Sequence, residues 1–260
     1  MSDESMRLPL PAAMVARARD FTGPPAPVRA AATVVLLRPA EHNLEVYVLK
    51  RASTMVFGGV YAFPGGTVDP GDRPETLRED WPERLGVAEE QARAVIGAAA
   101  RELFEEAGVL LAGTGDSVVG QVSGPEWEAD RAAVLARELT MTELLARRGL
   151  RLRDDLLFPW SRWVTPEFEP RRYDTWFFVS ALPDGQTARD VSGESDGTDW
   201  ISPAAANGLN LLPPTLSTLN DLRPYRRVVD VLTASAHRDA ASPVMPRLEL
   251  TGDGGFIRVV

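Results

Sequence analysis

Residues 101 to 109 read Arg-Glu-Leu-Phe-Glu-Glu-Ala-Gly-Val, and this stretch decides the fold that we expect. It ends a segment from Ala88 to Ala107 that contains no proline and is rich in Ala, Glu, Arg and Leu. Apolar residues recur in this segment at helical spacing, and Gly108 is well suited to end a helix. The sequence therefore predicts a helix from Ala88 to Ala107 whose last turns carry three glutamates.

Those glutamates are Glu102, Glu105 and Glu106, and their spacing places them on one face of a helix. Like charges at this spacing repel by about 0.2 to 0.5 kcal/mol per pair, so a divalent cation would stabilise the cluster. The chain has no Cys and two His, which leaves oxygen ligands and hard cations such as Mg²⁺, Mn²⁺ or Ca²⁺. A solvated acidic face, with Arg101 and Glu105 as an ordinary ion pair, is the alternative interpretation.

The same stretch resembles the second half of the Nudix box: Arg-Glu, an aliphatic residue, any residue, Glu-Glu, any residue, Gly and an aliphatic residue. The first half of that box is a Gly, five residues and a Glu, and here Gly66 is followed at that spacing by Asp72. Residues 73 to 100 then separate Asp72 from Arg101, which is 28 residues where the pattern has seven, an insertion of 21. A box split in this way resembles the Nudix branch that includes peroxisomal coenzyme A diphosphatases.

The resemblance implies an α+β fold, the Nudix fold, in which a mixed β-sheet is sandwiched between helices, here with helical insertions. It also implies that Glu102, Glu105 and Glu106 coordinate Mg²⁺ or Mn²⁺, with a backbone carbonyl of Gly65 or Gly66 as a further ligand. In such an enzyme the cations screen the charge of a diphosphate and activate a water molecule. A carboxylate then accepts the proton of that water.

The catalytic residues that the resemblance implies are Glu105, Glu106, Glu194 and Arg101. Arg101 would brace the box, and Glu105, Glu106 or Glu194 would act as the base. Glu194 precedes Trp200 by six residues, which resembles a family loop in which a glutamate stands before a strand headed by tryptophan. Because three aspartates lie nearby, a solvated acidic loop is the alternative here. Competing bases in another predicted loop are Glu167 and Glu169.

The resemblance predicts hydrolysis of a diphosphate linkage in a nucleoside-diphosphate derivative, with coenzyme A or an acyl-coenzyme A preferred as substrate. ADP-ribose or NADH is the alternative substrate, and a non-catalytic Nudix module that senses a nucleotide is the alternative of another class. The residues that could contact the substrate's phosphates and base are Lys50, Arg51, Arg172 and Tyr173. Ordinary solvated or core positions are the competing interpretation of these residues.

We divide the chain into three parts. Residues 1 to 30, rich in Pro and Ala, are predicted to form an irregular N-terminal arm. Residues 31 to 216 are predicted to form the Nudix domain, with insertions at about 73–93 and 113–155. Residues 217 to 260 are predicted to form a C-terminal helix and hairpin packed on the same domain.

Local composition predicts the remaining elements. Strands are predicted at 32–37, 44–49, 60–64, 109–111, 160–164, 173–182 and 200–201. Two short helices are predicted within 125–148, a further one after Ser202, and a longer one within 213–236. A hairpin is predicted at 248–260 around the glycines near residue 253.

The composition is that of an ordinary globular protein of 260 residues with a net charge of -9. This acidic balance disfavours nucleic acid as a partner, because phosphate contacts need an excess of Lys and Arg. No apolar run is long enough to span a bilayer, and the N-terminus lacks the apolar segment of a secretory signal. We therefore expect a cytoplasmic protein that acts on a small nucleotide-like molecule without a membrane partner, and the sequence leaves a homodimer open.

Overall fold

The computed structural model describes residues 7–53, 58–191, 193, 195–252 and 254–258. The helices are α1 (Ala12–Asp20), α2 (Trp81–Leu85), α3 (Glu89–Ala107), α4 (Pro125–Leu135), α5 (Met141–Arg148), α6 (Pro213–Leu222) and α7 (Val228–Ala234). The first six strands are β1 (Arg7–Pro9), β2 (Val28–Pro39), β3 (Leu44–Arg51), β4 (Tyr61–Ala62), β5 (Gly65–Thr67) and β6 (Ala112–Gly113). The others are β7 (Arg151–Leu152), β8 (Phe158–Val164), β9 (Arg172–Ala181), β10 (Ser195–Ile201), β11 (Arg247–Leu250) and β12 (Gly255–Arg258).

The central sheet is mixed. Its strands follow the order β10-β3-β2-β9-β8, with β4 beside β3 and β5 beside β2. Strands β2 and β9 run parallel, from Val28 opposite Arg172 to Leu37 opposite Ala181, and the other neighbours are antiparallel. This arrangement confirms the predicted mixed sheet.

Helices cover both faces of this sheet. Successive residues of β2 point to opposite faces, so Val34 and Leu36 pack in one core with α2, α3, α4 and α5. Val35 and Leu37 pack in a second core with α6 and α7. Both cores are apolar, which explains why the strand shows a continuous run of apolar residues rather than an alternation. The predicted α+β sandwich is confirmed.

The N-terminal residues differ from the prediction of an irregular arm. Residues 7 to 9 form β1, which pairs with β12 near the other end of the chain, and α1 follows directly. Met14 and Val15 of α1 are buried, so apolar packing orders a segment whose Pro and Ala content suggested irregular structure. The irregular part is the proline-rich stretch between α1 and β2. The domain boundaries themselves stay a prediction.

Two further element predictions are corrected. Residues 109 to 111 do not form a strand, because the side chain of Gln186 takes the place of a strand partner. Its Oε1 accepts from the N–H of Leu110 at 2.8 Å, and its Nε2 donates to the Leu110 carbonyl at 2.8 Å. The predicted helix within 213–236 is divided into α6 and α7, since Pro224 cannot continue α6.

Within the described ranges, no helix combines the length and the apolar composition that crossing a bilayer requires.

The helices predicted within 125–148 are present as α4 and α5, and the second begins with a capping box made by Thr140 and Glu143. The predicted C-terminal hairpin is present as β11 and β12.

Candidate active site

Helix α3 carries the predicted carboxylates to the centre of the molecule. It begins after Ala88 and ends before Gly108, whose φ of 63° suits glycine, so the predicted helix is confirmed. Glu102 and Glu105 are only 7% and 2% exposed, and Glu106 is partly exposed. Such burial is unusual for glutamate unless the carboxylate is paired.

Arg101 provides that pairing and connects the two halves of the split box. Its guanidinium holds Asp72 in a bidentate pair, with Nε to Oδ1 at 2.7 Å and Nη2 to Oδ2 at 3.0 Å. It also donates to Glu102 at 2.7 Å, to Glu105 at 3.2 Å and to the carbonyl of Thr67 at 2.9 Å. The 21 inserted residues therefore do not separate Asp72 from Arg101 in space, and aspartate supplies the carboxylate at this position.

The glycine loop packs directly against the same carboxylates. The N–H of Gly65 donates to Oε2 of Glu106 at 2.8 Å. A Cβ atom on Gly66 would lie 2.4 Å from Oε1 of Glu102, and one on Gly65 would lie 2.6 Å from the carbonyl oxygen of Ala32. Close approach to the backbone of strand β2 thus requires glycine at position 65, whereas at position 66 glycine lets the loop approach the carboxylate of Glu102.

Burial changes the acidity of this cluster. Loss of solvent raises the pKa of Glu102 to about 7, although the neighbouring Arg101 opposes the shift. Burial likewise raises the pKa of Glu105 against the effects of Arg101 and Arg137. Because the carboxyl pKa is raised, ionisation of the buried group at neutral pH destabilises the metal-free fold. A bound cation would offset this loss of folding free energy.

Arg137, in the connection between α4 and α5, is a member of the site that the sequence did not predict. Its Nη1 donates to Oε1 of Glu105 at 2.5 Å, and its Nε donates to Oδ2 of Asp69 at 3.1 Å. Helix α4 is itself attached to the box, because Arg131 donates to the backbone carbonyl of Glu105 at 3.2 Å. The sequence signal was limited to a break between two helices, with nothing to indicate which side chain faces the box.

The chemistry of the donors fits a hard divalent cation. Five carboxylates and two guanidinium groups form this part of the box. The atoms that could ligate a metal are the carboxylate oxygens, which hard cations prefer. The carboxylates are Asp69, Asp72, Glu102, Glu105 and Glu106. In the described part of the chain, however, no three acidic or histidine side chains are already arranged to hold a metal ion together. At Glu105 the two oxygens face Arg101 and Arg137.

The predicted fourth acid, Glu194, lies outside the described residues, so its role stays a prediction. Arg189, five residues before it in the chain, lies at the end of the box helix. The N–H of Arg189 donates to the carbonyl of Ala107 at 2.9 Å, and the hydroxyl of Ser195 donates to Asp190 at 2.7 Å. The alternative base Glu169 is buried and pairs with Arg17 of α1 at 3.0 Å, which favours a structural role, whereas Glu167 is exposed.

The predicted substrate-binding residues fall into two places. Lys50 and Arg51 end β3, where Lys50 lies opposite Tyr61 of β4 and Arg51 opposite Ser195 of β10. Arg172 is buried, and its guanidinium donates to the carbonyls of Thr165 and Ala26 at 3.1 and 3.2 Å. This packing favours a structural role for Arg172 over the predicted phosphate contact. Tyr173, beside it, is half-buried, and its backbone pairs with Thr165.

Comparison with known proteins gives a consistent result, although no protein-family model matches the chain. The chain is 28% identical over 225 residues to a Caenorhabditis elegans protein named "Putative nudix hydrolase 7", covering 84% of this chain and 68% of that protein. It is 30% identical over 174 residues to the human acyl-coenzyme A diphosphatase NUDT19, covering 60% of this chain and 46% of the human protein.

A solved structure agrees with these relatives. The crystal structure of a Nudix hydrolase from Alicyclobacillus acidocaldarius superimposes with a TM-score of 0.66 at 26% identity. The superposition covers 83% of this chain and 98% of the other. The chain is therefore similar to Nudix hydrolases in sequence and in fold, and the split box with its buried carboxylates agrees with this similarity.

Proposed function

We propose that this chain is a Nudix hydrolase and cleaves the diphosphate linkage of coenzyme A or an acyl-coenzyme A in a reaction that depends on Mg²⁺ or Mn²⁺. The observation that carries the proposal is the excess of buried acids around Arg101, packed against a glycine loop. The split box, and the name of the human relative that matches this chain, support coenzyme A as the substrate.

Glu102, Glu105 and Glu106 are the residues that would hold the cation, with the carbonyl of Gly65 or Gly66 as a further ligand. When bound, a divalent cation there would screen the negative charge of the diphosphate and lower the pKa of a coordinated water molecule. The acid excess of the cluster would make cation binding favourable, because the two arginines neutralise only part of it.

The chain's own residues then orient the reaction. Arg101 fixes Glu102 and Glu105 through its buried guanidinium, and the N–H of Gly65 fixes Glu106. Glu105, Glu106 or Glu194 would accept the proton of the attacking water, and the leaving phosphate would depart in line with the attack. Arg101 acts through the carboxylates that it orients.

We propose that substrate recognition lies outside the box. Lys50 and Arg51 stand at the end of β3, next to the start of β10, and are the basic residues that we propose for phosphate contact. ADP-ribose and NADH contain the same linkage and are the alternative substrates. We place the reaction in the cytoplasm, as the sequence predicts.

The test is a panel of coenzyme A, an acyl-coenzyme A, ADP-ribose and NADH, each incubated with Mg²⁺ or Mn²⁺, with products identified by mass. The proposal expects cleavage within the diphosphate of coenzyme A, giving adenosine bisphosphate and phosphopantetheine, and loss of both products in Glu106→Gln. Faster cleavage of ADP-ribose or NADH would contradict the substrate. Saturable binding of a nucleotide without any cleavage would instead support a sensing module.

A further inference from the structure

Arg137 occupies a backbone conformation that an arginine rarely adopts. Helix α4 ends at Leu135, Ala136 is its C-cap, and Arg137 follows with a φ of 63°. Over the described ranges it is the single residue other than glycine with a positive φ. Glycine takes this left-handed conformation at the C-cap of three other helices, at Gly86, Gly108 and Gly149. A glycine at position 137 would be unstrained but would have no side chain to reach the box.

The side chain of Arg137 makes two contacts with box carboxylates. Oε1 of Glu105 accepts from its Nη1 at 2.5 Å, and Oδ2 of Asp69 accepts from its Nε at 3.1 Å. The other oxygen of Glu105 accepts from Arg101. Both oxygens of a predicted cation ligand are therefore turned towards guanidinium groups in this structure.

The two arginines that contact Glu105 differ in burial and in the contacts that hold them in place. Arg101 is 3% exposed and is anchored by Asp72 and Thr67. The Arg137 side chain is 44% exposed and reaches the box from a surface connection. Moving Arg137 away would break a part-buried contact with Glu105 and an exposed one with Asp69, and Glu105 would keep Arg101 as a partner. Moving Arg101 would leave the buried Asp72 without its partner.

We propose that Arg137 is the exchangeable counter-ion of Glu105: it neutralises this carboxylate in the cation-free protein, and a divalent cation displaces it. This inference rests on the proposed function. A guanidinium and a divalent cation compete for the same oxygen, since their positive charges repel at this distance. The insertion that carries α4 and α5 thereby sets the affinity of the box for its metal.

The experiment measures Mn²⁺ binding by titration calorimetry, without substrate, in the wild type, Arg137→Gln and Arg137→Gly. Both variants are expected to bind Mn²⁺ about tenfold more tightly, because two ion pairs and one positive charge no longer oppose the cation. Arg137→Gly also relieves the backbone strain, so it keeps the test valid if Arg137→Gln folds poorly. Arg137→Lys should keep an intermediate affinity, since it retains the charge without the planar fork.

Arg147→Gln is the matched control. Arg147 belongs to the same insertion and pairs with Asp130, which keeps Arg148 as a second partner. Its Mn²⁺ affinity should stay within about twofold of the wild type, because Asp130 is outside the box. Unchanged or weaker binding in both Arg137 variants, while the wild type binds Mn²⁺ and hydrolyses its substrate, would overturn this inference alone. No Mn²⁺ binding in the wild type would overturn it together with the proposed function.

Discussion

Two buried carboxylates in this molecule are each held by a pair of arginines, and their surroundings differ. Glu105 is held by Arg101 and Arg137, and Asp130 of α4 is held by Arg147 and Arg148 of α5. Around Asp130 the charges balance. Among the described residues, the exposed Glu126 is the one further acid that contacts these arginines, so two acids face two arginines. Around Glu105, four further carboxylates face the same two arginines or the adjacent glycine loop.

The comparison shows that an arginine pair on a buried acid does not by itself indicate a functional site. Each arrangement holds a charged group in a place with little solvent, and at Asp130 this is sufficient to join two helices. Of these two arrangements, the box is the one with more acids than arginines. We attribute the capacity to bind cations to this excess, and the following substitutions are chosen to separate the two arrangements.

The largest effect is expected for Glu106→Gln. Turnover should fall by about a hundredfold or more, because the variant loses the charge needed for a ligand or a base. The fold should persist, since a glutamine oxygen can still accept from the N–H of Gly65. The measurement is kcat with Mn²⁺ on the substrate selected by the panel, together with Tm. Turnover like that of the wild type would remove Glu106 from the site.

The next effect concerns stability within the box. Asp72→Asn should lower the free energy of unfolding by about 3 kcal/mol, because it removes the charge opposite a buried arginine. Denaturant unfolding would measure the change. Asp155→Asn is the matched control: its bidentate pair with Arg153 has a half-exposed carboxylate and should contribute about 1 kcal/mol. Equal effects of the two substitutions would contradict the structural role given to Asp72.

A smaller effect is expected from the glycine loop, where two neighbouring glycines should respond differently. In Gly66→Ala the new Cβ meets the end of the Glu102 side chain, which can move, so activity should fall about tenfold with little change in Tm. In Gly65→Ala the new Cβ meets the backbone of β2, so stability should fall as well. Activity assays and thermal unfolding of both variants would show the contrast, and identical behaviour would argue against it.

The smallest effect is expected at the arrangement outside the box. Asp130→Asn should lower the free energy of unfolding by about 1 kcal/mol, since Arg147 and Arg148 are partly exposed and can be solvated. The activity of the folded variant should equal that of the wild type. A loss of turnover without a loss of stability would mean that the two arrangements are not independent.

The sequence predicted the box helix and most strands because their signals are local. The helix prediction from Ala88 to Ala107 differs from α3 by one residue, since apolar spacing and the terminal Gly108 lie within the segment itself. The resemblance assigned Asp72 and Arg101 to the two halves of one box, and the structure brings them into contact although 28 residues lie between them.

Contacts between distant segments account for what the sequence did not predict. The pairing of β1 with β12 orders residues predicted to be irregular, and the side chain of Gln186 prevents a strand at 109–111. Arg172 illustrates an ambiguous residue type, because an arginine beside a tyrosine suits a phosphate site and a buried structural position equally well. Arg137 reaches Glu105 from 32 residues away through an uncommon backbone conformation, for which the sequence has no local signal.

The central claim is that the acid excess around Arg101 is a site for divalent cations. Titration calorimetry with Mn²⁺ on the wild type, the double variant Glu102→Gln/Glu106→Gln and Asp130→Asn tests it most directly. The wild type and Asp130→Asn should bind Mn²⁺ with the same affinity, and the double variant should bind at least about tenfold more weakly. Binding by the double variant as tight as that of the wild type, or no binding by the wild type, would contradict the claim.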